Sequence, residues 1–140
     1  MKSLIIYESK FGNTAKLAEK IAETLGSQAV KADKFEEAML EGVELLIVGS
    51  PVWAWNIAAP VKKILKIVEA KSLQGVKGGA FDTGFANKLA GNACKKIDKK
   101  LRKAGLDIVL EPMHFIVDSD KGPLKEREIE RAINWVRNIH

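Results

Sequence analysis

Short apolar runs alternate with amphipathic segments along the whole chain. A short continuous apolar run predicts a buried β-strand, whereas apolar positions recurring every three or four residues predict a helix with one face in a core. The predicted strands span residues 4–7, 29–32, 44–49, 78–82, 106–110 and 113–117, the last two being halves of one interrupted strand. The predicted helices span residues 14–25, 35–40, 59–68, 87–104 and 125–139.

This alternation of strands and helices predicts an α/β fold. Residues 1–140 form one domain in this interpretation, because that length is usual for a single domain and the chain contains no repeat or linker. Helices of this length between strands indicate a doubly wound, five-stranded parallel sheet with helices on both faces. The continuous apolar run at 44–49 suits a central strand that is covered on both sides.

The composition narrows the class of protein. Hydrophobic residues make up 46% of the chain and charged residues 29%, as in ordinary globular proteins. A single cysteine, Cys94, excludes an internal disulfide or a cysteine-based metal cluster and favours a cytoplasmic location. No apolar stretch approaches the roughly 18 residues of a membrane span, and the run at 4–7 is too short for a signal peptide. We therefore expect no membrane association.

The chain is basic, with a net charge of +5 and a pI of about 9.3. Much of the excess lies in the predicted helix 87–104, at Lys95, Lys96, Lys99, Lys100, Arg102 and Lys103. Apolar residues recur between these lysines at helical spacing, which predicts that the basic residues form the solvated face. No aromatic platform or zinc-finger spacing accompanies them, so nucleic-acid binding is not predicted. A surface of one sign instead favours an acidic protein partner.

Ligands of parallel sheets bind beyond the carboxyl ends of the strands, which we call the carboxyl edge. Three segments reach this edge: the first segment (residues 8–14), the second (49–58) and the third (82–89). The first contains one glycine among polar residues at a helix start, where free N–H groups and the helix dipole attract a phosphate. Capping of the helix by these polar residues is the alternative interpretation. The candidate phosphate-binding residues are Ser9, Lys10, Phe11, Gly12, Asn13 and Thr14.

The second and third segments are rich in aromatic residues. The second contains Trp53 and Trp55, and tryptophans in a loop favour either stacking on a planar ligand or packing beneath the loop. In the third, Phe85 follows Asp82-Thr83-Gly84, a sequence that is also typical of an ordinary turn. Together the three segments predict a phosphate site beside an aromatic slot.

The sequence Ser-Lys-Phe-Gly-Asn-Thr at 9–14 resembles the flavodoxin pattern Ser/Thr-x-Ser/Thr-Gly-x-Thr, from which only Phe11 departs. The second segment, which contains Gly49 and Trp53 at the spacing Gly-x-x-x-Trp, is similar to the flavodoxin loop whose tryptophan covers the flavin. The resemblance covers essentially the whole chain. It implies a short-chain flavodoxin with strand order 2-1-3-4-5, FMN as cofactor and electron transfer between redox proteins as function.

The same resemblance implies roles for individual residues. Trp53, with Trp55 as the second candidate, stacks on the flavin, and Phe85 stands on the other side of the ring. Asn56 bonds the pyrimidine edge of the ring. The remaining cofactor contacts come from the backbone and side chains of Pro51, Val52, Ala54, Asp82, Thr83 and Gly84. We also expect a monomer or weak dimer.

The sequence is also compatible with two other functions, and its histidines and cysteine were considered as candidate functional residues. An NAD(P)H-dependent quinone or flavin reductase of the same superfamily is the alternative function, and a cofactor-free interaction domain is a third. His114 lies in an apolar strand and His140 is the last residue, so both are interpreted as structural or solvated. Cys94 is interpreted as a packing residue, and no residue pattern indicates a metal site or a catalytic acid, base or nucleophile.

Overall fold

The computed structural model describes residues 1–53, 56–86, 92–119 and 122–139. Strands and helices alternate over this part of the chain, as the apolar pattern predicts. The elements are β1 (Ser3–Tyr7), α1 (Asn13–Leu25), β2 (Gln28–Lys31), β3 (Leu45–Trp53), β4 (Asn56–Ile57), α2 (Ala59–Lys71), β5 (Lys77–Gly84), α3 (Ala93–Lys103), β6 (Asp107–Ile108), β7 (Met113–Ile116) and α4 (Glu128–Arg137).

The central sheet is parallel and has the order β2-β1-β3-β5, with β6 and β7 both pairing with the outer side of β5. β6 pairs with the start of β5 at Lys77 and Gly78, and β7 pairs with its end, from Phe81 to Gly84. β6 and β7 are thus the two halves of a fifth strand, and the predicted order 2-1-3-4-5 is confirmed. A short additional strand, β4, pairs antiparallel with the end of β3.

Helices cover both faces of the sheet, because each carries one apolar stripe. α1 and α4 pack on one face, over a cluster that includes Phe81, Phe115 and Trp135 in mutual edge-to-face contact. α2 and α3 pack side by side on the other face, where Ile64 and Leu65 share a cluster with the stripe of α3. Burial on both faces explains why the β3 sequence is apolar at consecutive positions rather than at alternate ones.

Several element bounds differ from the predicted ones. β3 and β5 pair with each other as far as Pro51 and Thr83, and each then continues beside another strand: Trp53 pairs with Asn56 of β4, and Gly84 pairs with Ile116 of β7. The predicted helix at 35–40 is a 3-10 helix, Glu37–Leu40, preceded by another at Ala32–Lys34. α4 begins at Glu128 rather than at residue 125. Residues 87–91 of the predicted lysine-rich helix lie outside the described residues, and α3 is observed from Ala93.

Within the described ranges, no helix is both long and apolar enough to cross a lipid bilayer.

Candidate functional site

In each of the three segments at the carboxyl edge, one aromatic side chain among the described residues is exposed. Phe11 of the first is 45% exposed, Trp53 of the second 36% and Phe85 of the third 41%. Apart from Met1, they are the exposed large hydrophobic residues among those that the structure describes. Exposed aromatic surface is unfavourable in water, so three such rings at one edge of the sheet mark a candidate binding site.

The first segment brings a helix start to this edge. Gly12 is the residue before α1 and has a φ of +96°, a left-handed conformation that glycine adopts without strain. Its N–H donates to Ser9 Oγ at 3.1 Å, and its carbonyl accepts the N–H of Lys16 at 3.0 Å. No described side chain caps α1. Capping therefore does not account for the polar residues here, and the N–H groups of the first turn remain available to an anion.

Buried polar side chains connect the first segment to its neighbours. Thr14 Oγ1 and Thr83 Oγ1 lie 2.8 Å apart and are both buried, which joins the first segment to the third. The amide of Asn13 lies against Gly122, where an added Cβ would meet Asn13 Oδ1 at under 3.0 Å. Lys10 Nζ lies 5.4 Å from the centre of the Phe11 ring. These contacts connect the first segment to the third segment and to Gly122.

The second segment is a short hairpin rather than an open loop. Trp53 of β3 pairs with Asn56 of β4, and the two residues between them, Ala54 and Trp55, lie outside the described residues. The Asn56 side chain accepts the N–H of Ile57 at 2.8 Å through Oδ1.

The base of this hairpin is fixed by Ser50, which is fully buried. Its hydroxyl donates to the Pro51 carbonyl at 2.7 Å and accepts the N–H of Ala58 at 2.9 Å. Ser50 thus ties the end of β3, the strand that carries the exposed Trp53, to the start of α2. This role of Ser50 was not predicted from the sequence.

The third segment stands on a buried carboxylate. Asp82 is fully buried in β5, and its Oδ2 accepts the N–H of Cys94 at the start of α3 at 2.8 Å. Its Oδ1 contacts His114 Nδ1, while His114 Nε2 lies 2.8 Å from the carbonyl oxygen of Phe85. His114 therefore connects β5, β7 and the exposed aromatic residue of the third segment.

The hydrogen bond that His114 donates to Asp82 raises the pKa of His114 above its usual value, against the lowering effect of burial. Since both ring nitrogens face acceptors, the protonated imidazole, which has two N–H donors, fits this position best. The interpretation of His114 as simply structural or solvated missed these bonds. A buried aspartate such as Asp82 needs a hydrogen-bond or charge partner, and this requirement was the signal available in the sequence. The sequence does not show which residue supplies that partner.

Cys94 is a neutral packing group. Burial, followed by the nearby charge of Asp82, raises the pKa of its thiol to about 12. The thiol donates to Asn92 Oδ1 at 3.0 Å, and the same oxygen accepts the N–H of Lys95 as the cap of α3. At neutral pH the sulfur is protonated, so it is unsuited to nucleophilic or redox chemistry. Across the described ranges, no group of three His, Cys, Asp or Glu side chains is arranged to hold a metal ion.

Comparison with known proteins agrees with this geometry. A family model for the flavodoxin domain matches residues 4–116. A flavodoxin of Clostridium saccharobutylicum is 34% identical over 99 residues, which are 66% of this chain and 61% of that protein. A putative diflavin flavoprotein of Thermosynechococcus vestitus is 25% identical over 97% of this chain, but the chain spans only 25% of its length.

Solved structures show the same fold. Oxidised flavodoxin 1 from Bacillus cereus superposes with a TM-score of 0.85 at 20% identity, covering 99% of this chain and 96% of that one. At such low identity the structural likeness establishes the fold alone, while the family model covers most of the chain. The chain belongs to the flavodoxin family, whose members bind FMN and transfer electrons.

Proposed function

We propose that this chain is an FMN-binding electron carrier that passes electrons between redox proteins. The observation that carries the proposal is the grouping of three exposed aromatic rings beside a helix start that no described side chain caps. A phosphate and a planar ring system within one ligand match these two features. Residues 1–140 form one FMN-binding domain in this proposal.

The start of α1 would hold the phosphate. Its first-turn N–H groups supply hydrogen bonds, and the hydroxyl and amide groups of Ser9, Asn13 and Thr14 lie within the same segment. Lys10 adds a positive charge to the same segment. An added Cβ on Gly12 would meet nothing within 4 Å, so the surface beside this residue is open. The residues present therefore fit a phosphate.

The aromatic residues would hold the ring. Trp53 and Phe85 stand on the second and third segments, and Trp55 remains the second stacking candidate. The other contacts would come from Pro51, Val52, Ala54, Asn56, Asp82, Thr83 and Gly84. Asp82 would contribute its backbone, because its side chain already bonds Cys94 and His114. FMN supplies the electron-transfer chemistry when bound, while the protein binds, orients and shields it.

The proposed partners are redox proteins with acidic surfaces, since the chain has a net charge of +5. The proposed location is the cytoplasm, where a lone buried thiol such as Cys94 stays reduced.

Binding of FMN and riboflavin tests both parts of the site, because riboflavin lacks the phosphate. We expect purified protein to bind one FMN and to bind riboflavin much more weakly, as measured by quenching of flavin fluorescence. Gly12→Ala should weaken FMN binding by up to about tenfold, because the free segment can relax from this φ, which costs alanine about 1–2 kcal/mol, and must regain it to bind the phosphate. Riboflavin binding should change little.

Trp53→Ala should weaken the binding of both flavins about tenfold, because stacking acts on the ring that they share. Lys16→Ala, on the exposed side of α1, is the control and should change neither constant by more than about twofold. Equal affinity for FMN and riboflavin would refute the phosphate site, and an unchanged Trp53→Ala would refute the aromatic slot. Rapid NADPH oxidation with a quinone acceptor would favour the reductase instead.

A further inference from the structure

Positive charge is concentrated on one of the two helical layers. α2 carries four lysines and one glutamate, and α3 carries five lysines, one arginine and one aspartate. These two helices therefore hold eight net positive charges, more than the +5 of the whole chain, and the rest of the chain has a net charge of −3. On the opposite layer, α1 and α4 each contain two basic and two acidic residues and are neutral overall.

The charges form one continuous surface, because α2 and α3 pack side by side on the same face of the sheet. We call this surface the basic face. Its members on α3 are Lys95, Lys96, Lys99, Lys100, Arg102 and Lys103, and those on α2 are Lys62, Lys63, Lys66 and Lys71.

Fold stability does not explain the basic face. Like charges three or four positions apart on a helix repel, as Lys95 and Lys99 do, and each such pair costs about 0.2–0.5 kcal/mol. Lys95 and Lys96 also lie in the first turn of α3, where the helix dipole disfavours cations. Two ion pairs between described residues offset part of this repulsion: Arg102 with Asp98 at 2.9 Å on α3, and Lys71 with Glu37 at 3.8 Å.

The basic face begins at the carboxyl edge. α2 follows the hairpin that carries Trp53, and α3 follows the third segment that carries Phe85. The first turns of both helices therefore lie at the end of the sheet where the aromatic rings are exposed. A protein that docks on this face would approach the proposed FMN site from its side.

We propose that the basic face is the docking surface for an acidic redox protein, which it steers toward the carboxyl edge. The proposal rests on the proposed electron-carrier function and adds the location and charge of the partner's contact. Charge complementarity speeds encounter and orients the partner. A protein fits better than nucleic acid, since the residues between the lysines, such as Ile97 and Leu101, are buried and offer no ring to stack on bases.

Binding to an acidic probe tests this surface. The FMN-loaded protein is titrated by calorimetry with an oxidised plant-type [2Fe–2S] ferredoxin, a strongly acidic redox protein, at about 20 and about 200 mM NaCl. We expect the dissociation constant to rise at least about tenfold with salt. Lys99→Glu/Lys103→Glu should weaken binding at low salt by at least about tenfold, because both residues are exposed on the basic face.

The matched control carries the same charge change on the neutral layer. Lys16→Glu/Arg137→Glu reverses two exposed basic residues on α1 and α4, and should change the constant by no more than about threefold. Lys99→Gln/Lys103→Gln makes half of the charge change and should have an intermediate effect on the dissociation constant. This variant replaces the charge reversal in the test if the reversed protein fails to fold. Equal effects of both reversals would overturn the docking surface and leave only a general effect of net charge.

Two further measurements separate the possible outcomes. Tighter binding of a mixed-sequence 20-base-pair DNA duplex than of ferredoxin, with the same loss on Lys99→Glu/Lys103→Glu, would overturn the inference in favour of nucleic acid. FMN content is measured on every sample. If the protein binds no FMN but keeps the charge-dependent binding of ferredoxin, the carrier function is refuted and the docking role of the basic face is supported. If FMN-loaded protein does not bind ferredoxin, only the docking role of the basic face is refuted.

Discussion

Replacing Gly49 with alanine is expected to destabilise the protein by about 3 kcal/mol or more, the largest effect that we predict for a single methyl group. An added Cβ would lie under 3.0 Å from three atoms of the Phe81 ring. That ring has no room to move, because Phe81 is fully buried and packs edge-to-face against Phe115 at 6.0 Å and Trp135 at 6.1 Å. Either the ring or strand β3 must shift.

Thermal unfolding of the FMN-loaded protein measures this effect, and we expect the midpoint to fall by roughly 10 °C or more. Gly78→Ala is the matched control. It adds the same methyl group to a neighbouring strand, but the nearest atom is the flexible end of Leu106 at 2.9 Å. The control should cost about 1 kcal/mol, since a leucine end can rotate away. Similar losses for the two variants would contradict the argument from Phe81.

A second substitution tests the cause directly. In Gly49→Ala/Phe81→Leu, the shorter leucine side chain makes room for the methyl group. The double variant should therefore lose less free energy of unfolding than the two single variants lose in total. A purely additive result would mean that the alanine acts through strand β3 itself.

Local patterns were sufficient to predict most of the fold. The apolar stripes of α1 and α2 and the continuous run in β3 depend on neighbouring positions in the sequence, so the elements and their order followed from periodicity. Element ends were harder to place, because β3 and β5 extend through pairing with each other and then with β4 and β7. The turn-like sequence at Asp82–Gly84 is part of a strand because Asp82 and Thr83 pair with both adjacent strands and Gly84 pairs with β7.

The candidate site was likewise predictable where it depends on local sequence and not where it depends on distant contacts. The first segment was predictable because a glycine followed by polar residues at a helix start is a local feature. The contacts that support the site are not local: Thr14 meets Thr83 across 69 positions, and His114 meets Asp82 across 32. A sequence taken alone does not specify which distant side chains meet, and one of these residues, His114, was therefore interpreted without its partner.

That partnership leads to the second large effect, the loss of the Asp82 carboxylate. Asp82→Ala should cost about 3 kcal/mol, because it leaves the N–H of Cys94 buried without an acceptor and removes the anion opposite His114. Urea unfolding at constant pH measures the loss. Asp98→Ala is the control: it breaks the ion pair with the exposed Arg102 and removes an oxygen, Oδ1, that is buried without a hydrogen-bond partner in the described part of the chain, so it should cost less than about 1 kcal/mol.

The pH dependence of stability tests whether His114 is the partner through which Asp82 stabilises the fold. The pKa of His114 is raised in the folded protein above its value of about 6.5 in the unfolded chain. Its contribution to stability is therefore complete below about pH 6.5 and is lost as the pH rises through the folded pKa. In unfolding measurements from about pH 5 to about pH 9, the advantage of the wild type over His114→Gln should shrink as the pH rises.

FMN binding should follow the same profile, since His114 Nε2 bonds the carbonyl of Phe85 beside the proposed ring site. A neutral imidazole has one N–H and can donate to Asp82 or to Phe85, but not to both. We therefore expect the FMN dissociation constant of the wild type to rise with pH through this transition, whereas that of His114→Gln stays nearly flat. His140→Gln, which changes the other histidine, should behave like the wild type. If His114→Gln keeps the wild-type pH profile, the proton lies on another group and His114 only packs against Asp82.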